Sequence, residues 1–281
     1  MNIKILEAGK FKLDGGAMFG VVPRSMWSKL NPPDENNMCT WSTRLLLVET
    51  GDRKIIFDCG LGLKQDPKFF SHFHPHEGNV HEAIENYSID AEEITDVFLT
   101  HLHFDHCGGA LLYDEQQNIH PTFPNASYWS NQTHFDWAYT PNPREKASFL
   151  KENFVPLRDL GILNFIPVIQ GVEWIPGIKI WFYYGHTEAM MVPEISLPNG
   201  QTVFYTADLL PSSFHVRLPY VMSYDIRPLK CIDEKLFFYN QLQSKENHLI
   251  IFEHDPVNPM GKLVLDDRGR YKIDTQVDMV T

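Results

Sequence analysis

Four side chains able to hold a metal ion are packed into the segment Thr100-His101-Leu102-His103-Phe104-Asp105-His106-Cys107-Gly108-Gly109, directly after the apolar run Val97-Phe98-Leu99. Side chains two apart on an extended segment point the same way, so His101 and His103 can grip one ion where a strand ends. Past the following bend, Asp105 and His106 can reach a second ion. Imidazole and carboxylate donors without a thiolate suit Zn2+, with Mn2+, Fe2+ or Co2+ as alternatives, and a pair of such ions activates water for hydrolysis.

Strands must deliver these donors. Arg44 to Thr50, a Gly51-Asp52 turn and Lys54 to Asp58 predict a β-hairpin. Four later apolar runs each end in a potential ligand: Asp96–Thr100 at His101, Ile178–Gly185 at His186, Thr202–Ala207 at Asp208, and His248–Glu253 at His254. Functional groups at the carboxyl ends of strands are the usual arrangement in α/β folds. Helices are expected over about Val80 to Tyr87, Arg144 to Leu157 and Asp233 to Ser244, and a closing hairpin over Lys262 to Ile273. The chain reads as a single domain over 1–281. It has an N-terminal arm, about 1–40, and a lid or pocket insertion, about 120–165, within the long connection between His106 and His186.

Composition narrows the function. With 43% hydrophobic and 21% charged residues, the 281-residue chain has an ordinary globular balance. A formal net charge of −12 works against a phosphate backbone, so no nucleic-acid partner is expected. Met1 to Phe11 lacks a continuous apolar stretch and no run approaches a membrane span, which predicts a cytoplasmic protein without membrane contact. Cys39, Cys59, Cys107 and Cys231 are scattered and predict buried free thiols, with contact to the metals open only for Cys107.

The order His101, His103, Asp105, His106, then His186 in Gly-His-Thr, Asp208 in Thr-Ala-Asp and His254 in Glu-His-Asp resembles the metallo-β-lactamase superfamily, as does the turn Asp58-Cys59-Gly60-Leu61-Gly62. The resemblance spans about residues 40 to 256 and implies an α/β fold, an αββα sandwich of two mixed β-sheets flanked by helices. It further implies that His101, His103 and His186 hold one ion, that Asp105, His106 and His254 hold the other, and that Asp208 bridges them around a nucleophilic hydroxide. Asp58 would stand behind the ligands. His103, where the redox di-iron branch commonly carries Glu, points to hydrolysis.

The arm Phe11 to Pro23, together with Phe214-His215, Met222 to Asp225 and Phe252 to Pro256, resembles the quorum-signal lactonase and organophosphate-hydrolase-like branch. A small-molecule ester is therefore implied as substrate, lactone first, with a phosphotriester or other ester next. Two departures mark the substrate side: Pro211 stands where those lactonases often have Tyr, and His186-Thr187-Glu188-Ala189-Met190 replaces their His-Thr-Pro-Gly-His. The alternatives are a mononuclear iron persulfide dioxygenase and a non-catalytic metal-binding scaffold.

Other candidates carry structural alternatives. His215 and Tyr224 could position substrate or protonate a leaving group, or simply pack. Met18, Phe19, Met26 and Trp27 could form a homodimer contact or reach over the site, or pack on the chain's own core. The histidines of Ser71 to His76 read as a loop, and His81, His120, His134 and His248 as ordinary histidines.

Overall fold

The computed structural model describes residues 1–277. In chain order it contains β1 (Asn2–Asp14), α1 (Gly15–Phe19), α2 (Arg24–Trp27), β2 (Met38–Thr50), β3 (Arg53–Phe57), α3 (Pro67–Phe70), α4 (Val80–Asn86), β4 (Asp96–Phe98), α5 (Phe104–Cys107), β5 (Leu111–Tyr113), β6 (Ile119–Pro121), β7 (Ser127–Ser130), α6 (Gln132–Tyr139), α7 (Val155–Asp159), β8 (Leu163–Phe165), β9 (Val172–Ile175), β10 (Ile178–Tyr183), β11 (Met190–Ser196), β12 (Thr202–Tyr205), α8 (Pro228–Gln243), β13 (His248–Ile251), β14 (Met260–Leu265) and β15 (Tyr271–Asp274). A six-stranded sheet has the order β1-β2-β3-β4-β7-β8, and a seven-stranded sheet the order β15-β14-β13-β12-β11-β10-β9. Both sheets mix parallel and antiparallel pairs, the α/β class expected. The chain groups into two compact units, Met1–Phe11 with Thr43–Val168, and Lys12–Ser42 with the segment from Ile169 onward.

In the first unit the hairpin β2–β3 pairs Leu46 with Phe57 and Thr50 with Arg53 across the Gly51-Asp52 turn. Strands β3, β4, β7 and β8 then run parallel. One face is buried by α4, α6 and α7: Val80, Ala83, Ile84, Phe135, Ala138 and Leu157 pack with Leu45, Leu47, Ile56, Val97 and Leu99. The parallel register, Phe57 beside Phe98, brings Asp58 and the His101 loop out at one sheet edge. Residues 120–165 include two strands of this sheet, β7 and β8, as well as α6 and α7.

In the second unit β12 and β13 are parallel, with Tyr205 beside Ile251, so Asp208 and His254 each follow three residues beyond paired positions. Two antiparallel steps, β10 to β11 and β11 to β12, make β10 run the same way as β12. Thus His186, Asp208 and His254 all leave the carboxyl edge of one sheet. Helix α8 covers a face of it through Phe238, Tyr239 and Leu242, packed with Phe204, Ile250 and Phe252. The arm residues Met18, Phe19 and Trp27 are buried, Phe19 stacking on Trp27 at 5.5 Å, while Met26 is exposed.

Two helices differ from the sequence expectation. The helix expected over Arg144 to Leu157 is only α7, preceded by a turn in which the Asn142 side chain accepts the backbone N–H groups of Arg144 and Glu145. Pro156 explains this, because proline is tolerated only in the first turn of a helix. For the same reason α8 begins earlier than Asp233, at Pro228, whose missing N–H costs nothing at the first helical position.

Gly108 and Gly109 lie against the Asp58–Gly62 turn, where Cys59 N–H donates to His106 O (2.7 Å) and Gly109 N–H to Gly60 O (3.0 Å). A Cβ on Gly108 would stand 2.0 Å from Leu61 O. Gly108→Ala is expected to destabilise the protein by about 1–3 kcal/mol, the usual cost of forced overpacking. Urea unfolding of the variant beside the parent protein measures it.

Candidate metal centre

Asp58 organises the donors of the first unit. Its backbone adopts a positive φ of 57°, which a residue at an edge turn adopts only when its surroundings hold it there. The carboxylate is fully buried. It accepts Thr100 N–H at 2.7 Å and the Thr100 hydroxyl at 2.6 Å, and Oδ2 also faces His106 Nδ1 at 3.1 Å. A hydroxyl has one proton to give. With that proton on Asp58, Thr100 Oγ1 accepts from His101 Nδ1 at 3.1 Å, which leaves the lone pair of His101 on Nε2. That lone pair faces His103 Nδ1 at 3.1 Å, about the spacing of two nitrogens on one tetrahedral ion with bonds of roughly 2.0–2.1 Å. The His101 and His106 rings lie 3.9 Å apart, and Asp105 Oδ2 is 3.9 Å from His106 Nε2.

The second unit prepares its donors in the same manner. His186 Nδ1–H donates to Asp225 Oδ1 at 2.8 Å, and the other oxygen of Asp225 accepts Met222 N–H at 2.9 Å. The preceding loop is held by Glu234 of α8, which accepts the N–H groups of Tyr184 and Gly185, each at 2.8 Å. His254 Nδ1–H donates to Ser42 O at 2.9 Å. Each outer partner fixes the tautomer and aims Nε2 outward, the usual support of a metal-ligating histidine. Asp208 follows Ala207, another residue at positive φ, 43°. Its Oδ2 lies 3.1 Å from His186 Nε2 and its Oδ1 3.4 Å from His254 Nε2. Within each unit, then, ring nitrogens and carboxylate oxygens converge at spacings that divalent ions accept, with no thiolate among them. All seven candidates are less than a tenth exposed.

The remaining sequence candidates sit differently. His215 is fully buried, its Nδ1 accepting from Ser212 Oγ (2.7 Å) and its Nε2–H donating to Met18 O (2.9 Å), with the ring stacked on Phe19 at 5.2 Å. Burial, aided by the nearby Lys235 ammonium, lowers its pKa to about 4. Tyr224 is 36% exposed. Cys107 is buried, its thiol donating to Leu102 O, and burial pushes its pKa up to about 12, so it stays protonated. His72 and His74 are exposed loop residues.

Three supporting residues escaped the sequence reading. Asp225 belongs to a segment singled out for its neighbour Tyr224. Glu234 hid in an amphipathic pattern. His134, read as ordinary, accepts the N–H of Leu102 between His101 and His103 at 2.8 Å. None carries a local signal, because each acts on a residue distant in the chain.

Residues 42–238 match the family model of the metallo-beta-lactamase superfamily, and the chain belongs to that superfamily of metal-dependent hydrolases. Among solved structures it is similar to a probable metal-dependent hydrolase from Staphylococcus aureus, with 28% identity, a TM-score of 0.85, and coverage of 99% of this chain and 98% of that one. It shares the fold of AidC, a dizinc quorum-quenching lactonase, at 20% identity and a TM-score of 0.79, covering 99% and 95% of the two chains. It is also 33% identical over 171 residues to the transcription termination factor FttA of Methanocaldococcus jannaschii, a match of 58% of this chain. The chain spans about a quarter (25%) of that relative. In view of this similarity, acidic charge alone does not exclude nucleic acid as a partner. No helix among the described residues is long and apolar enough to cross a membrane.

Unfolded, His215 takes up a proton as pH falls through about 6.5. Folded, it resists protonation to about 4. Between these values the unfolded chain binds more protons, so this residue removes stability as pH falls, up to about 3 kcal/mol. In metal-free protein, urea unfolding at pH 7 and pH 4.5 is expected to show that loss, and His215→Asn to reduce it.

Proposed function

We propose that this protein is a dinuclear metal-dependent hydrolase of small ester-like substrates, lactones first. The observation that carries the reading is Asp208, whose two oxygens face two different histidine nitrogens, as a carboxylate shared between two ions would. In this proposal, as the family resemblance implies, His101, His103 and His186 would take one ion, Asp105, His106 and His254 the other, and Asp208 would serve both, most favourably with zinc. Held by these residues, divalent ions would supply acidification of a water and polarisation of a carbonyl oxygen. The chain's own residues aim the donors: Asp58, Thr100, Asp225 and Ser42 O fix the ring orientations, and Asp105 and Asp208 supply the negative charge that retains the cations. His215, with both ring nitrogens engaged, positions the loop between Ser212 and the arm.

The lactone preference draws support from the shared fold with AidC and from an aromatic patch beside the donors. Phe104, between His103 and Asp105, packs against Phe73 at 4.6 Å and Phe69 at 5.2 Å between ring centroids. Such a surface suits an apolar substituent on a neutral ester. A second reading, a nucleic-acid partner, rests on the similarity to the termination factor and is opposed by the net charge of −12.

Protein purified in zinc is expected to carry about two ions per chain, to lose lactone and ester hydrolysis on chelation, and to recover it on zinc addition. Asp208→Asn should reduce kcat/KM by more than the roughly 10–100-fold that loss of an outer partner costs. A panel of lactones, esters, phosphotriesters and RNA oligonucleotides, assayed on metal-analysed protein, decides the substrate; turnover or binding of RNA alone would overturn the ester reading. Phe73→Ala should raise KM for long-chain lactones more than for short ones.

A further inference from the structure

The segment 131–149 surrounds the loop that carries His101 and His103. Asn131 caps α6 by accepting His134 N–H at 2.8 Å, and His134 Nε2 in turn accepts Leu102 N–H at 2.8 Å. Farther on, Ser148 O accepts Phe104 N–H at 3.0 Å. The Phe149 ring lies 4.6 Å from the ring of His103 and 5.8 Å from that of His134. The backbone on both sides of His103 is therefore tied to this one segment.

Glu145 belongs to the same segment and is only 3% exposed, an unusual place for a carboxylate. Its carboxylate accepts Trp137 Nε1–H at 2.8 Å and a side-chain N–H of Asn142. Its Oε1 lies 3.9 Å from His103 Nε2, ion-pair distance, across ground where both groups are largely removed from water. The opposite ring nitrogen, Nδ1, is the one that meets His101 Nε2.

We propose that Glu145 is the positioning residue of His103: its buried carboxylate favours the proton on Nε2 and so turns the Nδ1 lone pair toward the ion shared with His101. A negative charge close to an imidazole N–H stabilises that tautomer and raises the basicity of the other nitrogen. The burial strengthens the effect, since charge interactions are less screened away from water. Trp137 and Asn142 both donate to Oε2 and so hold the carboxylate in place with Oε1 toward His103. The inference rests on the metal-centre reading above and assigns a role to a residue outside the seven donors.

Glu145→Gln keeps the shape and the acceptor for Trp137 but removes the charge. Zinc binding by chelator competition is expected to weaken roughly 10–100-fold in the variant, with an altered visible spectrum of the cobalt-loaded protein and no loss of thermal stability in the metal-free form. Wild-type zinc affinity with an unchanged cobalt spectrum would overturn the proposal. If Glu145→Gln does not fold, the zinc-loaded wild type still decides: a slowly exchanging His103 Nε2–H, seen by proton–nitrogen NMR, is expected, and a rapidly exchanging one counts against it. Should the wild type itself bind no zinc, it is the metal-centre reading that fails, so the two failures are distinguishable.

Discussion

A metal-ligating histidine almost always has its ring aimed and its other nitrogen held, and the candidate donors of both units meet that requirement. In the first, the buried carboxylate of Asp58 collects a backbone N–H, a hydroxyl and an imidazole, and through Thr100 it sets the tautomer of His101 as well. In the second, Asp225 does the same for His186. Burying such carboxylates is costly unless cations or donors compensate them. The fold supplies donors at the backs of the rings, and bound ions would complete the compensation at the front.

The sheets serve that requirement through direction. Parallel neighbours finish at one edge, so β3 with β4, and β12 with β13, present consecutive loops at matched heights. The turns beyond them are tight. Asp58 and Ala207 sit at positive φ, and Gly108 is pressed against the Leu61 carbonyl. Local backbone conformations of this kind persist only where surrounding structure fixes them, and here they stand immediately beside the donors. Rigidity at the strand ends is thus obtained from backbone contacts, while Phe104 packs with Phe69 and Phe73 beside them.

The candidate donors stand out in the residues because their signal is local and redundant. His101 to His106 form a compact motif, and His186, Asp208 and His254 each close a strongly apolar run that becomes a strand. The hairpins at Gly51-Asp52 and at the tail were equally readable, since turn chemistry and alternation agree there. Helix boundaries were less so: Pro156 and Pro228 shift them by rules that hydrophobic spacing does not express. The outer partners were mostly hidden. Asp58 was visible through its turn, whereas Asp225, Glu234, His134 and Glu145 have ordinary sequence surroundings, and their meaning comes from a contact made across tens of residues.

What the sequence by itself determined is the chemistry of the donors and the strands that end in them, because ligand type and strand periodicity are properties of short stretches of chain. The tertiary structure decided which nitrogen of each histidine is held, which oxygen of Asp208 faces which ring, and that His215 is engaged on both sides by Ser212 and Met18. Those are questions of distance and angle between segments far apart in sequence. They are settled only when sheet register and loop packing bring the segments together, since a hydrogen bond depends on geometry that residue order does not contain.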